Sequence, residues 1–112
     1  MKILESVGME KRDFVKAGVT TSTVQEFDGE NITLTGVLIG EKPDKETGES
    51  REVVCLKTSE DEFISSISAT VKESIVTIME AFTPDEFTAG IPVVIKSRNS
   101  KAGRKFFYID LQ

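Results

Sequence analysis
The sequence predicts a small, mainly β domain with one helix, in the order β-β-β-α-β-β. Three observations carry that reading. Two strand-like stretches, Asn31–Glu41 and Arg51–Thr58, flank a polar loop. A run with helical spacing follows, from Phe63 to Phe82. The chain then closes with two alternating stretches, Ile91–Arg98 and Arg104–Leu111, around the turn N-S-K-A-G. At 112 residues there is room for one domain and one modest core.

Each element has a local reason. Residues 1–18 carry mixed signals: Met9–Phe14 suits a helical turn, and Gly8 and Gly18 bracket it. We read 1–18 as an N-terminal arm whose order the sequence leaves open, and 19–112 as the single domain. Thr20–Val24 is rich in Thr and Val and leads into Phe27, the pattern of a first strand, with Asp28-Gly29 as its turn. In Asn31–Glu41, Ile32, Leu34 and Leu38 share one parity, and Gly36 and Gly40 predict a bend or bulge. Lys42–Ser50 has no apolar residue beyond Pro43 and reads as a hairpin loop. Val53, Val54, Cys55 and Leu56 put apolar groups on both faces of the next strand, which suits an interior position.

Ser59-Glu60-Asp61-Glu62 has the form of a capping box. Apolar residues at 63, 64, 67, 71, 75, 78, 79 and 82 then describe one helical stripe, with a break available near Ser68–Thr70. Thr83-Pro84-Asp85-Glu86 is a second helix start, ending by Gly90. In the closing hairpin, Val93 and Ile95 share a face with Phe107, Ile109 and Leu111. The other face takes Val94, Lys96, Arg98, Phe106 and Tyr108. A turn centred on Lys101 would set Lys96 opposite Phe106.

Charge is distributed unevenly. The chain is net −5, yet residues 96–105 hold five of its 14 basic side chains and no carboxylate. Residues 26–62, by contrast, hold eleven carboxylates against four bases. Phe106, Phe107 and Tyr108 follow the basic run directly. Cations beside aromatic rings suit a single-stranded nucleic acid, because cations meet phosphates and rings stack on bases. An acidic protein can hold a polyanion on one basic face, since the local field counts more than the sum.

Several function classes fall away. With no His and one Cys, zinc sites and His-based acid–base catalysis are excluded, and no cofactor or metal is expected. Ser65, Ser66 and Ser68 have no His to activate them. The pairs Asp61-Glu62 and Asp85-Glu86 read as carboxylates at helix N-termini. No P-loop motif occurs. No apolar run reaches the roughly 18 residues of a spanning helix, and the N-terminus lacks the apolar core of a secretory signal. The expected setting is cytoplasmic, and the expected protein is not an enzyme.

The element order, the glycine-bent long strand and the basic hairpin resemble the OB-fold, a five-stranded Greek-key barrel with its helix between strands three and four. The resemblance covers about residues 20–112. In that fold oligonucleotides lie across strands two and three, between the loops joining strands one to two and four to five. The latter is here Asn99–Gly103, inside the basic cluster. The chain looks like the small single-stranded DNA-binding proteins of bacteriophages and mobile elements, which protect single strands in DNA replication and recombination. If it is phage-encoded, its compartment is the host cytoplasm. It departs from the bacterial housekeeping single-strand binding protein. It has no Trp, and it stops at Ile109-Asp110-Leu111-Gln112 where that family has a tail with an acidic tip.

The candidate site is Lys96, Arg98, Lys101, Arg104 and Lys105 for phosphates, and Phe106 and Tyr108 for bases. Phe107 shares parity with Ile109 and Leu111 and reads as core. Phe27 is a weaker candidate, and Lys11, Arg12 and Lys16 could extend the basic surface. The expected partner is single-stranded DNA, bound with little sequence preference. RNA and a homo-oligomer arrayed on one strand stay open. The rival reading is a protein-binding β-barrel adaptor or assembly protein that offers the same basic face to an acidic partner. The same cations could also simply guard an exposed strand edge.

Overall fold
A computed structural model describes residues 1–112. In chain order the elements are β1 (Lys2–Val7), α1 (Lys11–Val19), a 3-10 turn (Val24–Phe27), β2 (Asn31–Pro43), β3 (Ser50–Thr58), β4 (Phe63–Ser66), α2 (Ala69–Ala81), α3 (Pro84–Ala89), β5 (Ile91–Asn99) and β6 (Lys105–Leu111). The six strands form one antiparallel sheet in the order β4-β3-β2-β5-β6, with β1 also paired to β2. Counted from β2, this is an OB-like barrel left open between β4 and β6. No helix is long and apolar enough to cross a membrane.

The expected order β-β-β-α-β-β holds for residues 31–111, with two assignments redrawn. Thr20–Phe27 is not a strand. Thr23 caps a 3-10 turn through Glu26, and the segment joins β4 by one bridge, Thr23 to Ser65, beside hydrogen bonds from Thr20 Oγ1 to Phe63 O at 2.7 Å and from Ser65 N–H to Ser22 O at 2.9 Å. Ser59–Glu62 does not start a helix either. Thr58 closes a turn there by accepting Glu62 N–H on its hydroxyl, and Asp61 takes a left-handed φ of 62°. Asp61 and Glu62 therefore sit at a strand junction rather than at a helix start. Phe63–Ser66 pairs with β3, and the helix begins at Ala69, where Ser68 Oγ accepts Val71 N–H at 3.4 Å. The start at Thr83 stands as expected, with Pro84 in the first turn, a reciprocal Thr83–Glu86 cap and Gly90 as C-cap.

Residues 1–18, read as an arm, contain β1 and most of α1. The bend in β2 makes room for β1. A bulge between Leu34 and Gly36 splits the strand. Its first half pairs with β5, from Asn31 opposite Val94 to Leu34 opposite Ile91. Its second half pairs on the same edge with β1, from Val37 opposite Val7 to Glu41 opposite Lys2. Glycine is required at the crossing. A Cβ on Gly36 would lie 2.8 Å from the Gly8 carbonyl oxygen, and Gly8 itself has φ +67°.

The interior is one apolar cluster. Leu34, Val37 and Ile39 of β2 meet Val54 and Leu56 of β3, Ile64 of β4, Val93 and Ile95 of β5 and Ile109 of β6. Val71, Ile75 and Ile78 of α2 close one side, and Phe87 of α3 plugs an end. Each such fully buried side chain contributes about 1.5–3 kcal/mol. A second, smaller cluster lies on the opposite face of the sheet, where Ala17 of α1 meets Leu38, Cys55 and Phe63, with Met9 and Phe14 packed beside them.

Candidate nucleic-acid interface
The β5–β6 hairpin turns through Ser100–Arg104. Ser100 N–H donates to Arg104 O at 2.7 Å, and Gly103, at φ +78°, donates to Ser100 O at 2.9 Å. The strands pair Lys96 with Tyr108 and Arg98 with Phe106. The register is thus two residues from a turn centred on Lys101. A two-residue slip preserves parity, so the face assignment holds. Ser97, Phe107, Ile95, Ile109, Val93 and Leu111 share one face, and Phe107 packs on the interior cluster. Lys96, Arg98, Phe106 and Tyr108 share the other.

On that outer face the groups form a compact set. Arg98 Nε donates to Tyr108 Oη at 3.2 Å, with its guanidinium 5.1 Å from the ring centre. The Phe106 and Tyr108 rings lie 6.4 Å apart, tilted by 41°. Lys96 Nζ pairs with Asp110 at 2.7 Å. That bond raises the Lys96 pKa and lowers that of Asp110. Lys101 and Arg104 project from the turn, exposed.

Lys105 is on the opposite face from this set. It pairs with Asp28 at 2.9 Å, and its ammonium lies 5.6 Å from the Phe107 ring centre. Asp28 also accepts from Ser97 Oγ at 3.0 Å. Lys105 first, and then Ser97, hold its carboxyl below the usual range. The Asp28–Glu30 turn therefore buttresses the hairpin. Gly29 N–H reaches Ile95 O at 2.7 Å, and Ile95 N–H reaches Glu30 O at 3.0 Å. Phe27 packs on the interior cluster and is not part of the outer face.

In the OB pattern the ligand crosses barrel strands two and three, here β3 and β4. The loop joining strands one and two is then Asp44–Glu49, not Asp28–Glu30. The outer face of β3 and β4 is covered by α1. Asp13 of α1 is fully buried against it, accepting Glu10 N–H at 2.8 Å, Lys57 Nζ at 3.0 Å and Arg12 Nε at 3.5 Å. Burial pushes its carboxyl up, but those three donors outweigh burial and hold it below the ordinary value. Arg12 and Lys16 each reach Asp61 at 2.7 Å, so they fasten α1 rather than form a free basic surface. The uncovered part of the outer face is the β5–β6 half.

Sequence reasoning missed Asp28, Asp110 and Asp13 as partners of these cations. Asp110 was within reach of a parity argument, since it lies two residues beyond Tyr108 on the same face. Asp13–Lys57 joins residues 44 positions apart and has no local signal.

Residues 14–112 match the family described as phage single-stranded DNA-binding protein, of the phi29 type. No curated protein and no solved structure matches the chain. The match runs from within α1 to the last residue and takes in β2 to β6 entire. The chain accordingly belongs to the phage single-stranded DNA-binding protein family, and single-stranded DNA is its ligand.

Proposed function
We propose that the protein binds single-stranded DNA on the outer face of the β5–β6 hairpin, without catalysis, and so protects or organises strands exposed in replication or recombination in the host cytoplasm. One observation carries the reading. Arg98 and Lys96 stand beside Phe106 and Tyr108 on an uncovered sheet face, whereas α1 covers the β3–β4 half. Phosphates would contact Lys96, Arg98, Lys101 and Arg104. Lys105, on the other face, would act from the edge. Bases would stack on Tyr108 and Phe106, each contact worth about 1–3 kcal/mol. Stacking tolerates every base, so sequence preference is weak. Affinity falls with salt as phosphates are neutralised, with a slope of about −0.7 per phosphate for single strands. Residues 19–112 would carry the binding unit, and 1–18 would complete the β2 edge and seat α1. Several copies can follow one another along a strand.

Tyr108 makes the test direct, since it is the only Tyr and there is no Trp. Tyrosine emission therefore reports residue 108 alone. Titration with oligo-dT is expected to quench it in parallel with binding. Saturable binding with unchanged Tyr108 emission would place the strand elsewhere.

A further inference from the structure
The hairpin cations differ in what they hold. Arg98, Lys101 and Arg104 pair with no carboxylate. Lys96 is engaged by Asp110 at 2.7 Å, on the same face as Tyr108 and diagonally across the strand pair. The other oxygen of Asp110 accepts Leu111 N–H at 2.9 Å. The carboxylate is thus held from two sides, with one oxygen on the ammonium that a phosphate beside Tyr108 would seek. Both side chains are about half exposed (44% and 48%), so the pair can exchange partners without unfolding anything.

Resting on the hairpin reading above, we infer that Asp110 is an affinity-setting residue: it occupies Lys96 in the free protein as a phosphate would, and a bound strand must displace it. An approaching phosphate meets a neutral Lys96–Asp110 pair rather than a cation. Lys96 then adds little to affinity or to the salt slope. After displacement, Asp110 stands unpaired beside a polyanion, which favours release. The device keeps binding reversible at the face where the bases stack.

The inference is tested by a four-protein cycle of wild type, Lys96→Gln, Asp110→Asn and the double variant. Glu80→Gln, which removes one charge from an exposed carboxylate that pairs with no cation, is the charge-matched control, and Arg98→Gln is a control for the site. Anisotropy of labelled oligo-dT gives Kd at several salt concentrations, and urea unfolding confirms that each variant folds. Asp110→Asn is expected to tighten binding about two- to fivefold, the scale of one exposed ion pair. It should also steepen the salt slope by about 0.7, as one more phosphate is met by a free cation. Lys96→Gln should weaken wild type by less than about twofold and the Asp110→Asn background by the full two- to fivefold. Equal Lys96→Gln effects in both backgrounds would overturn the inference. So would tightening by Glu80→Gln as large as that by Asp110→Asn, because net charge alone would then explain it. If Arg98→Gln weakens binding and Asp110→Asn does not tighten it, the inference falls and the hairpin reading stands. If Arg98→Gln has no effect, the hairpin reading falls and takes the inference with it.

Discussion

Replacing Asp13 by Asn keeps the shape of the side chain and removes its charge, at the point where α1 is fastened to the sheet. The carboxylate is fully buried and receives Glu10 N–H at 2.8 Å, Lys57 Nζ at 3.0 Å and Arg12 Nε at 3.5 Å. An Asn amide keeps one acceptor and turns its NH2 toward one of those donors. A hydrogen bond to a charged group contributes about 1.5–3 kcal/mol, and Lys57 would be left without its counter-charge. Because Lys57 is 21% exposed, water repays part of the loss. The expected cost is about 3 kcal/mol, against a total of about 5–15 kcal/mol for a domain of this kind. Urea unfolding followed by circular dichroism measures it at neutral pH. Acid supplies a second reading. The native Asp13 carboxyl is held below its ordinary 3.8, so its contribution is complete above 3.8 and is lost as pH falls through the native value. Wild type and Asp13→Asn should therefore converge in acid. A gap under about 1 kcal/mol at neutral pH, or one that persists unchanged in acid, would refute the account of how α1 is held.

Three further outcomes follow from the packing. Ile75→Ala empties a fully buried position between α2 and the sheet and should cost about 2–5 kcal/mol in urea unfolding, with no change in the slope of free energy against urea. Gly36→Ala would set a methyl 2.8 Å from the Gly8 carbonyl oxygen, so β1 should loosen, read as faster amide exchange at residues 2–7 while β5 and β6 keep their protection. Cys55 is buried and its thiol is pushed up to about 12, so it should resist thiol reagents at mildly alkaline pH until the chain is unfolded. Prompt labelling of the native protein would contradict that placement.

How far the sequence revealed this molecule depends on where each signal lies. The closing hairpin was legible because alternation runs through both strands, so parity survived even though the turn through Ser100–Arg104 shifted the register by two. The Thr83–Glu86 cap was legible because all its partners lie within one turn. The box at Ser59–Glu62 misled for the same reason. It contains the right residue types, but Phe63-Ile64 bury one side chain on each face of the sheet, and pairing with β3 wins over helix propensity. β1 and the docking of α1 were not legible, since both depend on the Gly8–Gly36 crossing and the Asp13–Lys57 pair, contacts between residues far apart in the chain. At the candidate site, the sequence displayed the cations and rings but not the carboxylates of Asp28 and Asp110. Salt-bridge geometry decides which cations are free, and spacing along the chain does not encode it.

The most direct test of the central claim is fluorescence anisotropy of a labelled oligo-dT against a duplex of equal length, at low and moderate salt, with oligo-U alongside to rank RNA. The account predicts strand-selective binding that salt weakens. It also predicts a loss of about five- to 150-fold for Tyr108→Ala, the scale of one stacked base, and weakening by Lys101→Glu. Tight binding untouched by both substitutions would put the strand on another face, and equal affinity for duplex would contradict the single-strand reading of the hairpin.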